Sequence, residues 1–121
     1  MRLPQEAEWE RAAFGMRPGA WPRAKQTAPV GTRPKDRSRA GVLDLGGNVS
    51  EWTADWYAKA YYKRSPEKQP RGPKSGRAHS VRGCHFRCPK GSRLRRATTR
   101  HYSATWDPTI GFRCARGRRG R

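Results

Sequence analysis

No run of apolar residues in this chain approaches the roughly 18 needed to cross a bilayer, and the N-terminus has no apolar signal region. The expectation is a cytoplasmic protein with no membrane partner. Hydrophobic residues fill only 33% of the 121 positions, whereas Gly and Pro take 13 and 10. That shortage argues against a bundle or a doubly wound sheet and for one loop-rich domain of short elements. The three cysteines cannot pair completely, which suits a reducing compartment better than a secreted disulfide scaffold. Acid is scarcest of all: 9 Asp/Glu stand against 28 Lys/Arg, a net charge of +19. Residues 71–121 hold 15 of those cations and the single acid Asp107. Such a field attracts polyanions, nucleic acid first. An arginine-rich surface that is merely solvated has the same composition, and no nucleic-acid-binding motif accompanies the charge.

Pro4–Phe14 reads as a short amphipathic helix, with acids early, Gly15 as a stop, and Trp9 and Ala13 on one face. Met16–Pro22 is broken by Gly and Pro into a loop, Ala28–Gly31 suits a short strand edge, and Thr32–Arg39 is a basic connector. Ala58–Arg77 is loop by composition. Ala78–Phe86 alternates as a strand, with Val81 inward and Arg82 outward. Ile110–Ala115 reads as a closing strand that puts Ile110, Phe112 and Cys114 on one face, so that Cys114 is a buried thiol.

The stretch Gly41–Tyr57, GVLDLGGNVSEWTADWY, is the most informative. Asp44 and Glu51 flank the glycine pair Gly46 and Gly47, and Trp52 and Trp56 follow. Two carboxylates about such a turn offer the hard oxygens that calcium takes. A turn whose charges face solvent has the same spacing.

GGNVSEWTADWY resembles the GNVWEWTxDWY signature of the formylglycine-generating enzyme (sulfatase-modifying factor) family. Three more stretches keep that family's order: RLPQEAEWERAA at Arg2–Ala13, TAPVG at Thr27–Gly31, and VRGCHF…GFRCA from Val81 to Ala115. The resemblance spans almost the whole chain. It implies an α+β, C-type-lectin-like mixed fold, loop-rich, with a short N-terminal helix and short antiparallel strands. That domain would occupy 1–115, with a basic disordered tail at 116–121. It further implies the C-terminal part of a longer family domain, completed by an N-terminal half or by a second copy pairing at the IGFRCA edge.

The resemblance also implies a site. Calcium would be held by the side chains of Asp44 and Glu51 and the carbonyls of Gly47 and Val49. A second calcium site of the family is not expected, because Pro22–Gln26 contains no Asp, Asn or Glu. Ser50 stands where the family has Trp, and Gln5 replaces a helix-capping Thr worth about 1 kcal/mol. Family enzymes oxidise a sulfatase cysteine to formylglycine at a copper(I) ion held by two cysteines five residues apart. Laid on that pattern without gaps, Cys88 takes the first position and Arg93 the second, so Cys88 is the one catalytic thiol left and copper is not expected. Cys84, His85 and Cys88 form a C-H-x-x-C run, but adjacent strand residues point to opposite faces, so Cys84 and His85 should diverge. A free Cys88 among arginines would have a lowered pKa.

Val81, Arg82, Gly83, Phe86, Arg100, Gly111, Phe112 and Arg113 keep the family frame, while the positions between them do not. A fixed frame with free positions is the layout of a binding surface. A protein or small ligand is therefore expected at His85, Arg87, Lys90, Arg93, Thr98, Thr99, His101, Tyr102 and Trp106. This is similar to the displayed surface of the variable proteins of diversity-generating retroelements, a fold-level analogy. The alternatives are a formylglycine-generating oxidoreductase, or a fragment of one, and a polyanion binder acting through the basic half.

Overall fold

In the computed structural model, which describes residues 1–17 and 21–117, the helix runs Glu6–Ala13 (α1). Two carboxylates serve its N-terminus. Glu8 turns back to accept the Gln5 backbone N–H at 2.8 Å, and Asp55, from a distant strand, accepts the Glu6 N–H at 2.8 Å. The Thr missing at position 5 is thus offset by a tertiary cap, which also ties the helix to the sheet. The inner face of α1 packs Trp9 and Ala13 against Met16 and Leu45.

Four strands follow: β1 Ser50–Trp56, β2 His79–Arg82, β3 His101–Ser103 and β4 Ile110–Gly111. Their order in the sheet is β3-β2-β1-β4. β2 lies antiparallel to both β1 and β3, while β4 runs parallel to β1, pairing Ser50 with Ile110 and Glu51 with Gly111. An antiparallel bridge between Arg2 and Ala115 brings the two ends of the described chain together. One helix and a small mixed sheet joined by long loops make the fold α+β.

Several local expectations change. Residues 28–31 form no strand; the Asn48 side chain instead imitates one, accepting from the Ala28 N–H at 2.9 Å and donating to its carbonyl at 3.0 Å. β2 stops at Arg82, because Gly83 adopts φ +80° and a Cβ there would lie 2.8 Å from the Leu45 carbonyl. Arg82 does not face solvent. It is wholly buried, bonded to Glu6 at 3.2 Å, to Glu10 at 2.6 Å and to the Ala97 carbonyl, with its guanidinium over the Trp9 ring. The inner strand is covered on both faces, so its outward residue needed carboxylates rather than water. Strand structure ends at Gly111, and both Phe112 and Cys114 are exposed. Residues 58–77 are loop apart from a single 3₁₀ turn, Tyr61–Lys63. Residues 18–20 of the Gly/Pro loop and 118–121 of the basic tail lie outside the described residues.

Candidate functional site

The central turn is built on backbone geometry that few residues take. Asp44 and Asn48 have φ of +62° and +75°, a region open to Asn and Asp more than to other side chains. Gly47 lies against Trp21 so closely that a Cβ would sit 2.1 Å from its Cγ. Both carboxylates of the expected calcium site are buried. Asp44 accepts the Gly31 N–H at 2.7 Å through one oxygen, and its other oxygen has no partner. Glu51 is committed: Arg113 donates to its two oxygens at 2.6 and 2.7 Å, and Trp9 Nε1 donates at 2.7 Å. The same guanidinium donates to the carbonyls of Leu43 and Asp44. The Gly47 carbonyl accepts the Val49 N–H.

Of this set, Glu51 as arranged does not fit a calcium ion, because the chain already places a cation of its own on it. A second cation there would meet Arg113 at close range and lose most of the carboxylate charge that should attract it. Among the described residues no group of three or more His, Cys, Asp or Glu side chains is arranged to hold a metal.

Asp36 escaped the sequence reading. It is fully buried, accepts Trp21 Nε1 at 2.6 Å and the Gly46 N–H at 2.9 Å, and leaves its second oxygen unpaired. Burial pushes its carboxyl above the usual range, and the charge of Asp44 adds to this; the Gly46 and Trp21 donors oppose it. The one available signal was a lone acid in the basic run Thr32–Arg39.

The cysteines also differ from expectation. Cys84 and Cys88 are joined by a disulfide, and both are buried. The turn at Gly83 ends the strand before Cys84, so the chain folds back and the two Cα atoms approach to 6.0 Å, where an extended strand would hold residues four apart at about 13 Å. The remaining thiol is Cys114. With Cys88 bonded to Cys84 and Arg93 exposed on the 3₁₀ turn Arg93–Arg95, no thiolate pair remains. The donors present do not fit a cuprous ion.

The expected ligand-contacting residues are distributed over more than one face. His85 is half-buried beside Phe86; burial lowers its pKa, with Asp107 opposing and Arg87 and Arg95 assisting. His101 reaches the Gly83 carbonyl at 3.2 Å and is likewise lowered chiefly by burial. Tyr102 stacks on Tyr57 yet is 60% exposed, and Trp106 is 80% exposed. Arg87 is exposed, with its guanidinium over Phe86, and Thr99 is partly exposed. Thr98 lines a different cavity, beside Phe14, Tyr62 and Arg100 of the helix side. Lys90 lines a third, with Trp21 and Arg95.

Residues 16–118 match the family model described as the sulfatase-modifying factor enzyme 1-like domain. The formylglycine-generating enzyme of Streptomyces coelicolor is 33% identical over 147 residues, covering 94% of this chain and 46% of that protein. Serine/threonine-protein kinase Pkn1 of Chlamydia trachomatis is 34% identical over 130 residues, covering 95% of this chain and 21% of that one. Among solved structures, Treponema denticola variable protein 1 superposes with a TM-score of 0.74 at 26% identity, over 92% of this chain and 45% of that one. PvdO from Pseudomonas aeruginosa gives 0.72, also at 26% identity, over 92% and 50%. The chain spans half or less of the length of each of these proteins.

Proposed function

The chain belongs to the sulfatase-modifying factor enzyme 1-like family, and from that premise we propose that it is a non-catalytic binding domain. The observation that carries the reading is the state of the sulfur. The cysteine at the first copper position is tied to Cys84, and an arginine stands at the second. Reduction of the disulfide would free two thiols four residues apart, but Arg93 would still stand at the second copper position. The frame survives this loss because internal ion pairs hold it: Glu51 with Arg113, and Glu6 with Arg82 and Arg100. On that frame Tyr102 and Trp106 present aromatic surface to solvent, the kind of side chain that anchors a protein or small ligand. The likeness to a variable protein supports the same reading.

The test is direct. The protein is incubated with copper, dioxygen and a peptide bearing the CxPxR sulfatase motif, oxidised and after reduction, and aldehyde is sought by mass spectrometry. No aldehyde is expected in either state. Aldehyde formed by the native chain and lost in Cys88→Ser would overturn the proposal in favour of a formylglycine-generating oxidoreductase.

A further inference from the structure

The cavity between Trp21–Arg23 and Lys90–Arg96 has no role in the reading above. Its volume is about 810 Å³, and its lining is Trp21, Pro22, Arg23, Lys90, Gly91, Ser92, Arg95 and Arg96. Four of these eight side chains are cationic and none is acidic.

Arg95 is the unusual member. It is 5% exposed, and among the described residues it makes no ion pair with a carboxylate. Its three hydrogen bonds all go to backbone carbonyls: Nη1 to Trp21 at 2.6 Å, Nη2 to Cys88 at 2.9 Å and Nε to Pro89 at 3.2 Å. A guanidinium carries five N–H donors, so two remain beyond these bonds. The other buried guanidinium, Arg82, is neutralised by Glu6 and Glu10. Burying a cation without a counter-charge is costly unless an anion completes it. The carbonyl bonds fix the plane of the guanidinium, and planar double donors match the oxygens of phosphate and sulfate. Arg23, Lys90 and Arg96 are exposed at the rim and add positive potential.

We propose that this cavity binds a small phosphate- or sulfate-bearing molecule, its oxyanion on Arg95 and its remaining charge met by Lys90 and Arg96. The volume admits an organic group beyond the oxyanion, within the usual range of small-molecule sites. The Pro22 side and the edge of Trp21 supply an apolar wall for that group. This inference does not depend on whether the chain is catalytic.

The experiment is calorimetric titration of the full chain with inorganic phosphate, inorganic sulfate, AMP and, as the uncharged control, adenosine. Phosphate or sulfate should bind and weaken with added salt, AMP should bind at least as tightly as phosphate, and adenosine alone should not bind. The ratio of phosphate to sulfate affinity separates the two oxyanions. Lys90→Gln with Arg96→Gln removes two exposed cations without disturbing the core, and should weaken binding roughly tenfold or more. Arg71→Gln, at a different cavity, should change nothing. Arg95→Lys keeps the charge but not the fork, and should lose affinity while retaining the circular-dichroism spectrum. Absence of oxyanion binding at low salt would overturn the proposal. So would phosphate binding that the Lys90/Arg96 pair leaves untouched, or a nucleic-acid affinity that persists in that pair with no small-oxyanion binding.

Discussion

Replacing Arg113 with methionine tests the claim that the chain supplies its own cation in the central turn. In the native fold Glu51 is 4% exposed and accepts two charged donors from Arg113 and one neutral donor from Trp9. Arg113→Met keeps a long apolar stem but leaves a buried carboxylate with the indole alone. Breaking a buried pair from one side costs about 3–5 kcal/mol. The Arg113 side chain is itself 29% exposed, which places the expectation near 3 kcal/mol, or roughly 10 °C in Tm for a domain of this size. Adding Glu51→Gln on the same chain removes the stranded charge and should recover part of the loss, a coupling that a double-mutant cycle measures. The second arm concerns calcium. An ion held at a hundred times its Kd would stabilise the fold by about 2.7 kcal/mol. Thermal unfolding of the native chain should instead coincide in millimolar calcium and in chelator. A chelator that lowers the native Tm by several degrees would refute the reasoning, since Glu51 would then be shared with an ion despite Arg113.

Glu6 should set the acid limit of stability. Burial raises its pKa, but the bonds from Arg100 and Ser80 and the charge of Arg82 outweigh this, and the net shift is downward. A depressed carboxyl contributes stability above its unfolded pKa and loses it as pH falls through its folded one. Glu6→Gln should therefore flatten the acid limb of Tm against pH, and an unchanged limb would remove Glu6 as its cause. Asp36 has the opposite sign, since burial raises its pKa, so the folded state favours its neutral form and its contribution declines as pH rises through the carboxylate range. Asp36→Asn, whose carbonyl can still accept from Trp21 and Gly46, should raise stability at pH 7 by about 1 kcal/mol; a lower urea midpoint would contradict this. Gly47→Ala should destabilise by about 1–3 kcal/mol or more, because the new methyl would overlap Trp21. A Tm within a degree of native would show that Trp21 moves freely.

The fold was legible through motifs more than through physics. Periodicity found α1 to within two residues at its start, because Trp9 and Ala13 must share a face and Gly15 takes a positive φ just beyond the helix. It failed at the strands, where alternation assumes one wet face. Arg82 reads as an outward residue in any local window, yet it lies beneath α1, where Glu6 and Glu10 are 76 and 72 positions away in sequence. The disulfide was hidden for a related reason: Cys84 and Cys88 converge only because Gly83 ends the strand between Arg82 and Cys84. The resemblance supplied the fold, but it carried the family's calcium and copper ligands onto this chain by letter alone. Glu51 matches the family letter for letter, and what it does depends on Arg113, contributed from the far end of the chain. Ligand sets made from distant residues depend on their neighbours' charge, and a motif records only one side of that pairing. The same logic explains why Arg95 was overlooked. In sequence it is one basic residue among many in a basic half, and it becomes distinctive only when burial and the lack of a carboxylate partner are seen together.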